Sequence, residues 1–192
     1  MPRELSLAEV FQLGYYWETK ILLTAVKLDV FSLLDGQGRS AAEVAQKLGA
    51  DCRALELLLN ALVAIRLLTK TGAVYANTSV ATTHLVKHGP QYIGHLLLLH
   101  DAEWGNWGKL EEAIKTGRSP VTQHVFETDP ALGANVLSVL HRIGQQSGPD
   151  LAKRLALGQA KTMLDLGGGA GTNAIAFCQV YPSLSATVFD LA

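Results

Sequence analysis

The segment Leu164-Asp-Leu-Gly-Gly-Gly-Ala-Gly171 constrains the fold more than any other part of the sequence. The apolar run Thr162 to Leu166 predicts a β-strand, and Thr172 to Tyr181 has the composition of a helix. A second apolar run, Ala186 to Phe189, ends at Asp190. Glycines between a strand and a helix let the backbone approach a ligand closely, and an acid at the next strand end accepts hydrogen bonds from ribose hydroxyls. The pattern therefore predicts a β-α-β unit that binds a cofactor containing a nucleoside.

The spacing of the glycines separates this segment from the dinucleotide-binding pattern. It follows Asp165-x-Gly167-x-Gly169-x-Gly171, whereas dinucleotide-binding folds carry G-x-G-x-x-G. Asp190 lies 19 residues beyond Gly171, which fits an acid at the end of the second strand. A glycine cluster alone also occurs in tight turns that bind nothing. The prediction of a cofactor site therefore depends on strand, loop, helix, strand and acid occurring together.

The sequence before the glycine segment predicts helices. Ser6 and Glu9 have the spacing of a capping box, and apolar residues then recur as far as about Leu34. This predicts one long helix that is apolar on nearly all sides. Such a helix needs cover on several sides, from the same chain or from a second subunit.

The next part of the chain predicts two short helices and a small hairpin. Ser40 and Glu43 form a second capping box, and Asp51 precedes another amphipathic helix. Leu67 to Thr69 and Ala73 to Ala76 predict two short strands. Helix, turn, helix and hairpin in this order is typical of a winged helix.

Further helices are predicted as far as about Leu157. One begins near Pro90, a second runs from Trp107 to Lys115, and a third covers roughly Pro130 to Gln145. Gly148-Pro149 is expected to end the third helix, because proline lacks the backbone donor and disfavours a helical residue before it.

Composition and charge exclude several function classes. The 192 residues carry 16 Lys plus Arg and 17 Asp plus Glu, so the net charge of −1 gives no electrostatic basis for binding nucleic acid or an anionic membrane. With 48% apolar and 17% charged residues, the chain favours an ordered core. Two distant cysteines indicate a reducing compartment, and the six histidines show no metal-ligand spacing. We expect a cytoplasmic protein without a metal, a signal peptide or a membrane span.

A winged helix also raises the alternative of a DNA-binding regulator. The predicted helical segment from Asp51 to Arg66 contains two basic residues, Arg53 and Arg66, and two acidic residues, Asp51 and Glu56. Its net charge is therefore zero. A helix that contacts phosphates needs several Lys or Arg. We therefore expect packing or dimerisation as the role of this helix, with DNA binding as the less favoured alternative.

The glycine segment, together with Val188-Phe-Asp-Leu191, resembles the cofactor motif of S-adenosylmethionine-dependent O-methyltransferases. The dimeric small-molecule enzymes of the caffeate, acetylserotonin and hydroxyneurosporene type are the group that it resembles most. The amino-terminal region of that group is similar to Leu28-Asp-Val-Phe31, Leu57 to Leu68 and Trp107 to Gly117. The resemblance covers nearly the whole chain.

The resemblance implies roles for individual residues. Gly167, Gly169 and Gly171 match the loop that wraps the methionyl part of S-adenosylmethionine, Asp190 matches the acid that holds the ribose, and Asp165 would orient the loop or a water near the cofactor amine. The full set of predicted cofactor residues is Asp165, Gly167, Gly168, Gly169, Gly171, Asp190 and Leu191. The predicted contacts with the methyl acceptor are His100, Trp104, Trp107 and His141.

The resemblance also implies the fold. We expect a mainly α chain with a winged-helix dimerisation domain, followed by the first β-α-β unit of an α/β Rossmann-like methyltransferase domain. The expected boundaries are a dimerisation domain at 1–100, linking helices at 101–158 and an incomplete cofactor-binding domain at 159–192. In the family, the adenine-binding residues and the histidine general base come later in the sequence.

These observations predict the amino-terminal part of a homodimeric O-methyltransferase that acts on a hydroxyl of a small phenolic, enolic or polyketide-like acceptor. Because the general base is expected beyond residue 192, this chain alone is expected to be inactive and to dimerise. The alternative from a different class is a non-catalytic dimerisation or regulatory module that keeps only the first cofactor-binding unit.

Overall fold

The computed structural model of the chain describes residues 3–121 and 123–191, which are mainly helical. The chain divides into two compact units, Met1–Val121 and Thr122–Ala192. The first unit contains α1 (Leu7–Leu13), α2 (Tyr16–Lys27), α3 (Val30–Leu33), β1 (Arg39–Ser40), α4 (Ala41–Leu48), α5 (Cys52–Ala64), β2 (Leu68–Thr71), β3 (Val74–Asn77), α6 (Ser79–Leu85), α7 (Gly94–Ala102), α8 (Trp104–Trp107) and α9 (Leu110–Thr116). The second contains α10 (Val125–Thr128), α11 (Pro130–Leu155), β4 (Thr162–Leu166), α12 (Thr172–Val180) and β5 (Ser185–Phe189).

Side-chain caps confirm three of the predicted helix starts. The Ser6 hydroxyl accepts a hydrogen bond from the Glu9 amide at 3.3 Å, and the Glu9 carboxylate accepts one from the Ser6 amide at 2.8 Å. Ser40 and Glu43 repeat this capping box at the start of α4. The Asp51 side chain caps α5. Each cap satisfies backbone amides that the first helical turn leaves without a partner.

The single helix predicted from Ser6 to Leu34 is wrong, because the chain breaks twice within it. Gly14 ends α1, and Tyr15 leaves the helical region with φ −80° and ψ 53° before α2 begins. Asp29 then adopts the left-handed conformation, with φ 56°, between α2 and α3. Glycine is a poor helix former, which explains the first break. No residue of α1 is buried within the chain.

The first unit contains a three-stranded antiparallel sheet in the order β1-β3-β2. Leu68 pairs with Asn77 in the hairpin, and Arg39 of β1 pairs with Tyr75 of β3. Tyr75 is buried, and its hydroxyl donates a hydrogen bond to Asn60 Oδ1 of α5 at 2.8 Å. The sheet is thereby fastened to the α4–α5 helix pair. The core of this unit is formed by apolar residues that include Leu23, Val30, Phe31, Leu34, Val44, Leu59, Leu62 and Tyr75.

In the second unit β4 and β5 are parallel neighbours joined through α12. Thr162 lies opposite Ser185, and Leu166 lies opposite Phe189. The strand, helix and strand predicted from the glycine segment are therefore confirmed. Parallel strands need a crossover connection of this kind.

One face of this two-stranded sheet is covered by α12, and the other face is exposed. On the side of α12, Phe177 and Leu184 are buried. On the opposite face Leu164, Leu166 and Phe189 are exposed. Parallel sheets in α/β proteins are normally covered on both faces, so this apolar face is typical of a sheet that packs against further structure.

Helix α11 extends without a break from Pro130 to Leu155, so the predicted stop at Gly148-Pro149 is wrong. Gly148 is buried, and a Cβ atom placed on it would lie 2.8 Å from the Cβ of Ala176. This close packing on α12 offsets the hydrogen bond that Pro149 removes. The helix predicted near Pro90 begins instead at Gly94, and the one predicted from Trp107 to Lys115 is divided into α8 and α9.

None of the helices among residues 3–121 and 123–191 is both long and apolar enough to cross a membrane. Within the same ranges, no three His, Cys, Asp or Glu side chains are grouped as metal ligands.

Candidate functional site

The glycine segment forms a tight loop between β4 and α12. Gly167, Gly169 and Gly171 have φ values of 70°, 52° and 70°, a region that residues with a Cβ rarely adopt. The Gly167 amide donates to the carbonyl of Phe189 at 2.7 Å, and the Gly171 amide donates to the carbonyl of Gly168 at 2.8 Å. These bonds fix the loop at the carboxyl ends of both strands, which is where open α/β sheets bind ligands.

Gly168 is needed for a different reason, because its φ is not positive. A Cβ atom on Gly168 would lie 2.8 Å from Cγ of Asp165 and 2.8 Å from Cγ1 of Val188. The loop therefore passes so closely over β4 and β5 that only glycine fits at this position.

Asp190 is tied directly to the loop. Its Oδ2 atom accepts a hydrogen bond from the Gly169 amide at 2.5 Å, and its Oδ1 atom accepts one from the Leu191 amide at 2.7 Å. The side chain is otherwise exposed. Each carboxylate oxygen has a second lone pair, so Asp190 keeps acceptor capacity for a hydroxyl. The structure thus brings together the strand-end acid and the glycine loop that the sequence paired.

Asp165 presents an unusual buried acceptor beneath the loop. Its Oδ2 atom is shielded from solvent and has no hydrogen-bond partner among the described residues. A buried carboxylate oxygen without a donor is costly, and such an atom at a ligand site is typical of a group that is satisfied by the ligand. An ammonium group, or a water held by one, would supply the missing donor.

A shallow groove lies beside the loop. Small and apolar side chains of α12 and β5 form its walls, including Ala174, Ile175, Cys178, Ala186 and Val188, and Gly169 to Gly171 form its end. Its lining is mostly apolar, as is common for small-molecule sites.

Helix α11 also supports the loop and the start of α12, a role that was not among the predictions from the sequence. Nδ1 of His141 lies 2.7 Å from the Thr172 hydroxyl at the start of α12. A Cβ atom on Gly144 would lie 2.9 Å from Cγ2 of Thr172, and one on Gly169 would lie 3.3 Å from Cδ2 of Leu137. The helical spacing of Leu137, His141 and Gly144 was the sequence signal that could have indicated this face.

The other three predicted acceptor contacts belong to the first unit. His100 is exposed on α7. Trp104 packs its ring under Nζ of Lys20, 4.9 Å from the ring centroid. Trp107 is 71% exposed and lines a small groove with Leu110. These three residues stay predictions, as does His141.

An ion-pair cluster fixes α7 next to α2. Asp101 Oδ1 lies 2.5 Å from Nζ of Lys20, and its Oδ2 lies 2.8 Å from Nζ of Lys27. Hydrogen bonds from Lys20, and next from Lys27, hold the pKa of Asp101 below its ordinary value. The cluster positions the helix that leads into Trp104.

Comparison with known proteins agrees with this geometry. Residues 11–87 match the O-methyltransferase dimerisation domain, and residues 107–192 match the O-methyltransferase domain. The chain belongs to the O-methyltransferase family that combines these two domains and matches the amino-terminal portion of its members.

Two curated relatives illustrate the similarity. The tetracenomycin polyketide synthesis 8-O-methyl transferase of Streptomyces glaucescens is 32% identical over 182 residues, which is 92% of this chain and 54% of that protein. Acetylserotonin O-methyltransferase of Gallus gallus is 30% identical over 190 residues, covering 90% of this chain and 55% of that protein. The chain spans about half the length of these relatives.

Solved structures show the same relationship. An O-methyltransferase family protein from Burkholderia thailandensis has a TM-score of 0.80 and 27% identity, covering 98% of this chain and 57% of that one. Human N-acetylserotonin methyltransferase in complex with S-adenosylmethionine has a TM-score of 0.72 and 25% identity, covering 100% of this chain and 61% of that one.

Proposed function

We propose that this chain is the amino-terminal part of an O-methyltransferase that transfers a methyl group from S-adenosylmethionine to a hydroxyl of a small phenolic, enolic or polyketide-like acceptor. The observation that carries the proposal is the glycine loop bonded to Asp190 at 2.5 Å, with the unpartnered Oδ2 of Asp165 beneath it. The acceptor class is supported by the names of the relatives, which act on polyketide and acetylserotonin substrates.

Each cofactor residue has a role in this proposal. Gly167, Gly169 and Gly171 bring the backbone close to the methionyl part, and Gly168 allows the loop to pass close to β4. Asp190 accepts hydrogen bonds from the ribose hydroxyls while it remains bonded to the loop, and Leu191 lies beside the nucleoside. Asp165 accepts a hydrogen bond from the cofactor amine or from a water that the amine holds. The unpartnered Asp165 oxygen and the positive φ values of the loop support these assignments.

When bound, S-adenosylmethionine supplies an electrophilic methyl group on a sulfonium. Methyl transfer then needs the acceptor oxygen to lose its proton and to lie in line with the methyl–sulfur bond. We propose that the general base belongs to the part of these relatives that this chain does not match, and that the 192 residues by themselves transfer no methyl group. The exposed apolar face of β4 and β5 supports this assignment, because it offers a packing surface for the remainder of a larger sheet domain.

The first unit has a dimerising role in this proposal, with β1, α4, α5 and the β2–β3 hairpin forming a winged helix. The sheet order β1-β3-β2 supports that arrangement. Homodimerisation through the amino-terminal helices is supported by the dimerisation-domain match and by α1, which has no buried residue although Leu7, Phe11 and Leu13 are apolar.

The net charge of −1 supports the absence of nucleic-acid and membrane partners, and the free cysteines Cys52 and Cys178 support a cytoplasmic location.

Two assays test the proposal together. The 192-residue chain is titrated with S-adenosylhomocysteine, for which saturable binding is expected. The same chain is then incubated with methyl-labelled S-adenosylmethionine and the acceptors, and no methyl transfer is expected. The complete protein that includes this sequence is incubated with S-adenosylmethionine labelled in the methyl group and a panel of phenolic and polyketide acceptors. Label is expected on an acceptor oxygen. Label on nitrogen or carbon would contradict the O-methyltransferase assignment, and no cofactor binding by either protein would contradict the proposal as a whole.

A further inference from the structure

We infer that His141 is a positioning residue for the glycine loop. It acts through Thr172, whose hydroxyl it holds at 2.7 Å, and it keeps the first turn of α12 and the preceding loop in the conformation that binds the cofactor. The inference rests on the proposed function and names a determinant of that same site. It differs from a direct acceptor contact, because the bond uses Nδ1 and points at the protein.

The start of α12 has little other support from side chains. Its N-cap is Gly171, which has no side chain and so makes no capping hydrogen bond. Thr172 is the first residue after this glycine, so its side chain is the first anchor that the helix offers. With the ring proton on Nε2, Nδ1 of His141 accepts a hydrogen bond from the Thr172 hydroxyl. This bond therefore adds a side-chain restraint to a helix end that has no capping hydrogen bond.

Close packing of α11 against its side chain also holds Thr172 in place. Gly144 lies one turn beyond His141 on α11, and a Cβ atom there would come within 2.9 Å of Cγ2 of Thr172. Four residues after Thr172, Ala176 packs against Gly148 just as closely. The two helices thus approach in one register, in which Leu137 lies against Gly169 of the loop and His141 lies against Thr172.

The restraint is transmitted to the loop over a few bonds. The Gly171 carbonyl accepts a hydrogen bond from the Ile175 amide at 2.9 Å, so Gly171 moves with the first turn of α12. The Gly171 amide in turn donates to the Gly168 carbonyl at 2.8 Å. Asp190 holds the loop at a different residue, Gly169. His141 and Asp190 are therefore two separate supports of one short segment.

The test uses matched pairs of substitutions in the 192-residue chain. His141→Leu and Thr172→Val remove the hydrogen bond and keep the approximate shape. His141→Asn and Thr172→Ser restore it, because the Asn amide oxygen reaches the position of Nδ1 and Ser keeps the hydroxyl. Tyr181→Phe is the control, since the Tyr181 hydroxyl donates to the Ala152 carbonyl at 3.2 Å and so also joins the end of α12 to α11, but far from the loop.

The first measurement is amide hydrogen exchange across residues 168–176 without any cofactor. His141→Leu and Thr172→Val are each expected to speed exchange about three- to tenfold, as the loss of one hydrogen bond predicts. The double variant is expected to match the single variants, because both remove the same bond. His141→Asn and Thr172→Ser are expected to stay within about twofold of the wild type, and Tyr181→Phe is expected to leave this segment unchanged.

The second measurement is the affinity for S-adenosylhomocysteine, which should fall by the same factor in the same variants. Effects of His141→Leu and Thr172→Val that add, or an equal effect of Tyr181→Phe, would overturn the inference. If the wild-type chain binds no S-adenosylhomocysteine, this result contradicts the proposed cofactor binding by the 192-residue chain but not the role of His141. The exchange measurement needs no cofactor and still decides whether His141 holds the loop.

Discussion

The carboxylate of Asp190 accepts a hydrogen bond from the backbone amide of Gly169 across 2.5 Å. The residues lie 21 positions apart, one after each parallel strand, so the bond joins the two strand ends of the β-α-β unit. The acid expected to hold the ribose is thus bonded directly to the loop expected to hold the methionyl group. A substitution of Asp190 is therefore expected to alter the conformation of the glycine loop, and a change in the loop is expected to alter the position of Asp190.

Substitution of Asp190 should weaken cofactor binding and loosen the loop. Asp190→Ala removes the acceptor for Gly169 and Leu191, and we expect about a tenfold or greater loss of affinity for S-adenosylhomocysteine with faster exchange at Gly169. Asp190→Asn keeps one acceptor oxygen and should give a smaller loss. The control is Asp150→Ala, an exposed acid on α11 in the same unit. Equal affinities for Asp190→Ala and Asp150→Ala, measured by titration, would remove Asp190 from the site.

A methyl group at Gly168 should destabilise the second unit. Gly168→Ala places a Cβ 2.8 Å from Asp165 and Val188, which we expect to cost about 1–3 kcal/mol through overpacking. The matched variant is Gly105→Ala, where a Cβ meets nothing within 4 Å and helix propensity predicts a gain of up to about 1 kcal/mol. Hydrogen exchange of the β4 and α12 amides in urea measures the first effect, and urea unfolding followed by tryptophan fluorescence measures the second. A neutral Gly168→Ala would show that the loop has room to relax.

A charge on α1 should disrupt the proposed homodimer. Phe11 is 61% exposed within one chain, and Phe11→Asp would place an unpaired carboxylate in a dimer interface. We expect light scattering to give twice the chain mass of 20.6 kDa for the wild type and the single mass for Phe11→Asp. Val80→Asp, at a 50% exposed site on α6, is the control and should remain dimeric. A wild-type chain that is monomeric at high concentration would contradict dimerisation through this region.

The ion pairs of Asp101 with Lys20 and Lys27 should make the stability of the first unit depend on pH. The lysines hold the pKa of Asp101 below its ordinary value in the folded chain, so the unfolded chain takes up the proton first as pH falls. The stabilisation is present above about pH 4 and is lost as pH falls through the folded pKa. Asp101→Asn should therefore cost about 1 kcal/mol at neutral pH and less once the pH falls below the ordinary pKa of an aspartate.

Urea unfolding followed by tryptophan fluorescence measures this difference, since Nζ of Lys20, a partner of Asp101, lies over the Trp104 ring. Asp35→Asn, at an exposed acid of the same unit, is the control, and an effect of the same size there would show that the stabilisation is not specific to Asp101. A constant difference between wild type and Asp101→Asn across pH would show that the charge of Asp101 is not what stabilises α7.

Local signals in the sequence predicted the parts of the fold that local chemistry determines. The two capping boxes, the Asp51 cap and the strand-loop-helix-strand order around the glycines all depend on residues a few positions apart. Positive φ at Gly167, Gly169 and Gly171 follows from the same short pattern. For this reason the amino-acid sequence is enough to locate the loop between β4 and α12.

The wrong helix end at Gly148-Pro149 lies where tertiary packing overrides local preference. Pro149 favours a helix end by itself, but α11 continues because Gly148 packs closely on Ala176. The apolar run from Ser6 to Leu34 indicated one helix and gave no sign that Asp29 would adopt a left-handed conformation. The bond between His141 and Thr172 spans 31 positions, and no local pattern pairs them.

The measurement that tests the central claim most directly is a titration of the isotopically labelled 192-residue chain with S-adenosylhomocysteine, followed by backbone amide NMR. The account predicts saturable shifts at Gly167 to Gly171 and at Asp190 and Leu191, with Asp190→Ala reducing all of them together. Saturable shifts confined to the first unit, or no shifts at the glycine loop at high ligand concentration, would contradict the claim that this loop and Asp190 form the cofactor site of a methyltransferase.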